Sequence, residues 1–259
     1  MENDARSESQ PLSAIGEGFR RRFELVPALT DALKDETYRL RHSVYSEDLG
    51  FEPQRPDGRE IDKYDAHATG LLIRHLPSRE FIGCARLIHP NPDALSDPLP
   101  FERTCGSGLD REVVDASPRS QIAEVSRLAV ISKFRRRKGE ASVPAPLGEN
   151  DLAGGPTPRF PYILLGLYLG IIAVSELQGI KKLFVLTEPR LALHLTKVGF
   201  ELVQVGAPVE HRGTRIPSMM TVSQLVTEMK PYLRPVYEVI RRQVFDQSGV
   251  LAKEGAPVC

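Results

Sequence analysis

The sequence predicts a mixed α/β (α+β) protein built on one central sheet, and three observations predict it. Short, alternating, β-branched runs at 23–26, 67–75, 80–89 and 122–131 read as strands. The later half alternates strand and helix patterns: a buried strand KLFVLT at 182–187, a helix from Pro189, then strands at 200–205 and 217–222. The 259 residues are 41% hydrophobic and 26% charged, the balance of a globular chain. An antiparallel run followed by strand–helix–strand–helix–strand is the order of a mixed sheet flanked by helices.

Taken in order, residues 1–20 are polar and predict a disordered tail. Thr30 or Asp31 caps a helix whose apolar positions are Leu33, Tyr38, Leu40, Val44 and Tyr45, with Gly50 as its stop. Residues 52–62 are a Pro-, Gly- and charge-rich loop. Pro77-Ser78 separates two strands and predicts a hairpin. Residues 90–118 form a Pro/Ser/Asp-rich connection. Arg135-Arg136-Arg137-Lys138 opens a Gly- and Pro-loaded stretch, a mobile insertion over about 136–160. The helix of 161–178 is apolar on nearly all sides and therefore buried. The helix of 189–198 has Pro in its first turn and Gly199 at its end. A last amphipathic helix falls near 234–246. The chain thus divides into a tail (1–20), one domain (21–230), and a C-terminal helix and tail (231–259).

Several function classes are excluded. Lys+Arg and Asp+Glu both number 34, so the net charge is zero, unlike a general nucleic-acid binder. Three cysteines (Cys84, Cys105, Cys259) without CxxC spacing make neither a disulfide framework nor a zinc site. The six histidines show no i,i+4 pair, so no metal is expected. His67, near Asp65, and His194 are either proton relays or structural. Cys84 has no nearby His motif and is not expected as a nucleophile. The polar N-terminus is no secretory signal, and a cytoplasmic location is expected. The most apolar stretch, 163–174, is too short for stable membrane insertion.

Four segments in order carry a resemblance: YRLRHSVYSEDLGF at 38–51, the pair Asp62 and Asp65 in DKYD, GCARLI at 83–88, and EVSRLAV at 124–130. LPFE at 99–102 and VEHRGTRIP at 209–217 add to it. Over roughly residues 22–222 the chain resembles the acyl-homoserine-lactone autoinducer synthases and their relatives that make long-chain N-acyl amino acids. Among these it resembles in particular the acyltransferases associated with PEP-CTERM/exosortase systems. The resemblance implies a GNAT-like N-acyltransferase fold, a twisted mixed sheet whose strands 122–131 and 182–188 splay into a V-shaped cleft for the pantetheine arm of an acyl carrier. It implies a polar cluster of Arg41, Asp62, Asp65, Arg86, Glu124 and Arg127. The matching aromatic positions are Tyr45, Phe51 and Phe101. Tyr45 and Phe51 replace the aromatics usual in the autoinducer synthases, which points to a different acceptor pocket.

Acyl transfer from a thioester to an amine needs a proton acceptor, donors for the developing oxyanion, and a common site for both reactants. Glu124 is the candidate base, with Arg127 beside it. The plain alternative is that Glu124 only pairs with Arg86 or Arg41, since buried charges need partners. Strand alternation puts Glu124, Ser126 and Leu128 on one face and Val125, Arg127 and Ala129 on the other, unless a bulge intervenes. The Arg/Asp/Glu cluster either shapes the cleft or recognises an amino acid, with arginine for the carboxylate and Asp62 or Asp65 for the ammonium. Backbone N–H groups of Leu128, Ala129 and Val130 are the expected oxyanion donors. No Tyr lies between 169 and 231 to serve as a general acid. The apolar helix of 161–178 is either ordinary core or the lining of an acyl tunnel, with Gly166 and Gly170 leaving room for a tunnel or for close sheet packing.

The basic run offers Arg135, Arg136 and Arg137 for the donor. RRRKGE lacks the full Gly-x-Gly pattern that cradles a coenzyme A pyrophosphate. A basic patch extended by Arg20-Arg21-Arg22 suits an acidic acyl carrier protein, and the remaining reading is a solvated loop. The expected reaction is transfer of a long-chain acyl group from acyl carrier protein, or from coenzyme A, to an amino acid, with no tightly bound cofactor. The alternatives are an autoinducer synthase using S-adenosylmethionine and a non-catalytic acyl-binding or sensory module. The sequence assigns no oligomeric state.

Overall fold

In the computed structural model, residues 9–135, 160–197 and 199–253 are described. The alternating segments pair into one eight-stranded sheet. Its strands are β1 (Phe23–Pro27), β2 (Ala68–His75), β3 (Glu80–Ile88), β4 (Ile122–Val130), β5 (Lys182–Thr187), β6 (Val203–Gln204), β7 (Val209–Glu210) and β8 (Thr214–Thr221). The α-helices are α1 (Ser9–Arg22), α2 (Asp31–Arg41), α3 (Pro100–Cys105), α4 (Arg111–Val114), α5 (Ser132–Arg135), α6 (Phe160–Leu177), α7 (Pro189–Lys197), α8 (Val222–Thr227) and α9 (Arg234–Lys253).

The strand order is β1-β2-β3-β4-β5-β8-β6, with β7 pairing β8. β4 and β5 are parallel, and the other pairings are antiparallel. A parallel pair needs a crossover, and α6 lies in that crossover, after the short α5. The main core lies on the α6 face of the sheet, where Leu71, Ile73, Leu87, Val125 and Leu183 meet α6 and α9.

The glycines on α6 answer one of the open alternatives. A Cβ on Gly166 would lie 3.0 Å from the Phe19 ring, and one on Gly170 would lie 2.5 Å from Leu71 Cδ2. Both serve close packing of the helix against the sheet and α1. Among the described residues, no helix is long and apolar enough to cross a membrane.

Several expectations are corrected. The tail expected over 1–20 is helical from Ser9. Its polar composition hides Ile15 and Phe19, four residues apart on one helix face, and both join the main core. A Cβ on Gly16 would sit 2.8 Å from the carbonyl oxygen of Pro235, so α1 and α9 meet backbone to side. α9 contributes Val236, Tyr237, Ile240 and Val244 to the same core, so the C-terminal helix is part of the domain's packing. The connection 90–118 holds α3 and α4 and buries Leu99, Phe101, Cys105, Leu109 and Val114 in a second cluster. The helix expected to stop at Gly50 widens after Arg41 into a π-helical turn, His42–Asp48. The strand expected at 200–205 shrinks to β6.

Gly83 shows how tightly β3 sits against β4. A Cβ there would lie 2.9 Å from the backbone oxygen of Ala129 and 3.1 Å from Ile73 Cγ2. Gly83→Ala is expected to destabilise the protein by about 1–3 kcal/mol, because strand backbone cannot yield as a side chain does. Urea unfolding measures this, and an unchanged midpoint contradicts the packing described.

Candidate active site

The polar cluster is assembled by four elements. α2 ends on Arg41, which is fully buried. β3 carries Arg86 and β4 carries Arg127. The loop between the π-turn and β2 supplies the carboxylates. Within it, Asp62 caps a short 3-10 turn by accepting the Tyr64 N–H, and Asp65 accepts the Asp62 N–H at 2.8 Å. This reciprocal cap aims both carboxylates at the arginines.

Arg41 donates to both oxygens of Asp65 (2.6 and 3.1 Å) and to Glu60. Arg86 donates to both oxygens of Asp62 (2.8 and 3.0 Å), to Asp65 (2.9 Å) and to Ser126 Oγ (3.0 Å). Arg127 donates to Glu60 and to Glu52, each at 2.9 Å from the same terminal nitrogen. The cluster residues expected from the sequence therefore meet, apart from Glu124. Burial works against the Glu60 carboxylate, but hydrogen bonds from Arg127 and Arg41 outweigh it and hold its pKa at about 2.

Sequence reasoning missed Glu60 and Glu52. Glu60 stands two residues before Asp62, the alternate position of an extended segment, and this was its only signal. Glu52 is a loop carboxylate with no signal beyond its neighbour Phe51.

Glu124 is paired with neither Arg86 nor Arg41. Its Oε2 accepts the backbone N–H of Phe101 at 2.8 Å. Burial pushes its pKa up to about 8, against the opposing pull of that N–H and of the Arg86 charge. The Phe101 ring stacks on Phe184 in the interior, with centroids 4.6 Å apart, so the ring is core while its amide supports Glu124.

The strict alternation expected along β4 breaks at Arg127. Its φ is +50°, the left-handed region, and the β3 register shifts between Cys84 and Arg86. Beyond this bulge Leu128 and Val130 pack on the α6 side and Ala129 on the α2 side. Glu124, Ser126 and Arg127 all reach the polar side.

Pairing of β4 with β5 ends at Val125↔Val185, although β4 runs on to Val130 and β5 to Thr187. The two strands part there, which is the expected splay. Tyr45 marks its polar edge: the hydroxyl donates to the Leu128 carbonyl at 2.8 Å, and the ring faces the Arg127 guanidinium at 5.4 Å. Two hydroxyls buried near the splay, those of Tyr168 on α6 and Thr187 at the end of β5, have no hydrogen-bond partner among the described residues. Neither was singled out from the sequence. Phe51 lies at the rim, 42% exposed. Arg135 turns inward to Asp48 at 2.6 Å. Arg136, Arg137, the insertion at 136–159 and the side chain of His194 lie outside the described residues. Among the described residues, no group of three or more His, Cys, Asp or Glu could hold a metal ion. Burial raises the Cys84 thiol to about 12, the opposite of an activated nucleophile.

Glu60→Gln is expected to cost about 3 kcal/mol, because it leaves two buried guanidiniums short of charge. The sign with pH follows from the lowered pKa. Glu60 contributes fully above its ordinary value of 4.5 and loses that contribution as pH falls toward 2. Urea unfolding at about pH 7 and about pH 3 should show the variant gap narrowing at the lower pH. A gap that widens, or is absent at neutral pH, contradicts the network.

A family profile described as an acetyltransferase (GNAT) domain matches residues 40–143. An acyl-homoserine-lactone synthase of Rhizobium radiobacter is 25% identical over 174 residues, 67% of this chain and 71% of the relative. A structure of BjaI, a CoA-dependent acyl-homoserine lactone synthase with SAM and isopentyl-CoA, superposes with a TM-score of 0.54 at 21% identity, over 85% of this chain and 89% of that one. FeeM, an N-acyl amino acid synthase from uncultured soil microbes, superposes with a TM-score of 0.51 at 15% identity, over 80% of this chain and 95% of that one. The chain is an acyltransferase with the GNAT fold, similar in sequence to an acyl-homoserine-lactone synthase and similar in fold to an N-acyl amino acid synthase.

Proposed function

We propose that the protein moves a long-chain acyl group from a thioester carrier to the amine of an amino acid, giving an N-acyl amino acid. The observation that carries this reading is the meeting of the β4/β5 splay with a mixed-charge cluster that opens to solvent at Glu52, Asp62 and Arg127. A pantetheine arm fits between parted strands. An amino acid brings an ammonium and a carboxylate, and a cluster of both signs is their complement.

In this reading the amine nitrogen attacks the thioester carbon, and the C–S bond breaks. Glu124 takes the amine proton. A carboxyl with a pKa near 8 is a far better proton acceptor than one near 4.5. The oxyanion is received by backbone N–H groups of Leu128 and Val130, whereas the Ala129 N–H faces β3, and the departing thiolate collects a proton from solvent. The unpartnered Tyr168 and Thr187 hydroxyls support a ligand carrying amide groups, because buried polar atoms find partners. Arg41, Arg86 and Ser126 hold the cluster in shape, and Tyr45 and Phe51 wall the acceptor side.

Acyl carrier protein is favoured over coenzyme A as the carrier. Ring contacts from Phe23 to His75 (5.9 Å) and from His75 to Phe134 (5.2 Å) bring the end of α1, with Arg20, Arg21 and Arg22, beside Lys133 on α5. Arg20 pairs with Glu17 and Lys133 with Glu80, so the support for docking an acidic carrier rests chiefly on Arg21 and Arg22. The motif order supports the kinship with PEP-CTERM/exosortase-associated acyltransferases. The second reading, an autoinducer synthase using S-adenosylmethionine, is favoured by the Rhizobium radiobacter relative.

Incubation with a long-chain acyl carrier protein, pooled amino acids and S-adenosylmethionine, followed by mass spectrometry, separates the readings. An N-acyl amino acid is expected. A lactone formed from S-adenosylmethionine, or bound lipid without turnover, contradicts the proposal. Glu124→Gln should lower kcat roughly 100-fold or more and remove the rise in rate through about pH 8, while donor binding persists. A variant that keeps full rate sinks the base assignment.

A further inference from the structure

Three residues other than glycine have a left-handed backbone among those described: Arg79, Arg127 and Arg212, with φ of +59°, +50° and +55°. Arg79 closes the β2–β3 turn. The other two lie far apart in sequence, yet each places a terminal guanidinium nitrogen 2.9 Å from the same atom, Oε1 of Glu52. Left-handed backbone is disfavoured for residues with a Cβ and persists where the surroundings demand it, often at binding sites.

Each of these guanidiniums also faces an aromatic ring. Arg127 lies 5.4 Å from the Tyr45 centroid and Arg212 lies 5.7 Å from the Phe51 centroid. A ring holds the guanidinium plane and leaves its N–H edge free to bind a carboxylate. Arg212 sits at the tip of the β7–β8 hairpin, where Gly213 follows at φ +92° and donates its N–H to Glu210. The hairpin thereby lays Arg212 over the loop that carries Phe51 and Glu52.

Depth separates Glu52 from the rest of the cluster. The side chains of Arg41, Asp65, Glu60 and Arg86 are at most 6% exposed, whereas Glu52, Arg127 and Arg212 are 18%, 20% and 34% exposed. Arg127 keeps Glu60 beneath it, so Glu52 is the member that can leave without stripping a buried charge of its partner. The field at this mouth is positive: burial, then Arg212, Arg215 and Arg127, hold the His211 pKa below its ordinary value.

We propose that Arg212 and Arg127 form a clamp for the free carboxylate of the acceptor, and that Glu52 occupies the clamp until the acceptor displaces it. The inference rests on the amino-acid reading of the acceptor and deepens it. It makes the free α-carboxylate a requirement, and it assigns specificity to a hairpin residue outside the buried cluster. Asp62, 3.6 Å from Arg127, stands next to the clamp for the ammonium.

The test compares an amino acid with its primary amide as acceptors, using long-chain acyl carrier protein as donor, in the wild type and in Arg212→Gln. In the wild type the amide should be the poorer acceptor. The substitution should lower kcat/KM for the acid roughly 10- to 100-fold, mainly through KM, and leave the amide nearly unchanged. Glu52→Gln, which removes the internal competitor, should lower KM for the acid. Equal effects of Arg212→Gln on acid and amide, or none on either, overturn the clamp. Arg212 is partly exposed, so the variant's thermal unfolding should match the wild type, and a lost fold would itself contradict a role confined to the clamp. If the wild type acylates no amino acid, the amino-acid reading fails by that fact alone. The same acid–amide comparison on S-adenosylmethionine, which also has a free α-carboxylate, then decides the clamp.

Discussion

Guanidinium groups carried inside a protein must be neutralised where they stand, because an isolated buried charge costs far more than a domain's stability margin. Arg41, Arg86 and Arg127 arrive from a helix end and two strands, and the segment 52–65 answers them with Glu52, Glu60, Asp62 and Asp65. That demand explains the course of an otherwise irregular loop. It also divides the molecule: one face of the sheet carries the ion network beside two smaller apolar clusters, and the other packs on α6 and α9. The proposed site lies beside the ion network, at the parting of β4 and β5.

Glu60 and Glu124 show what the neutralisation does. Both are buried, and burial alone pushes each pKa upward. Two arginines drag Glu60 down to about 2, whereas Glu124, with one backbone N–H as its direct partner, stays at about 8. The same burial thus leaves the two glutamates in opposite conditions, one held as an anion by its arginines and one with the raised pKa on which the proposed base role rests. The bulge at Arg127 links them, since it turns Arg127 to the side that Glu124 and Ser126 already share, just past the last β4–β5 pair at Val125.

Much of this was legible in the sequence, for identifiable reasons. Period-2 runs marked β2 to β5, and the two arginines interrupting CARLI and SRLAV announced buried guanidiniums with Asp62 and Asp65 in range. What stayed hidden shares one cause, a signal that is not local. The partner of Glu124 is an amide 23 residues away, inside a stretch whose Pro, Ser and Asp content reads as plain loop. The bulge at Arg127 occupies a residue type with no preference for left-handed backbone, so the alternation ran one step too far. Glu52 and Glu60 look like solvated loop charges until the fold closes on them. Ile15 and Phe19 are two apolar residues in a polar tail, and only the folded core of α6, α9 and β1 gives them partners.

The central claim is that the parting of β4 and β5 beside the ion cluster holds the thioester. A crystal structure with a non-cleavable thioether analogue of a long-chain acyl pantetheine tests it most directly. The account predicts the arm between 126–130 and 186–187, with its sulfur on the side of Glu124 and its amides reaching the Tyr168 or Thr187 hydroxyl. An arm bound elsewhere, with the two strands parted and empty, would contradict it.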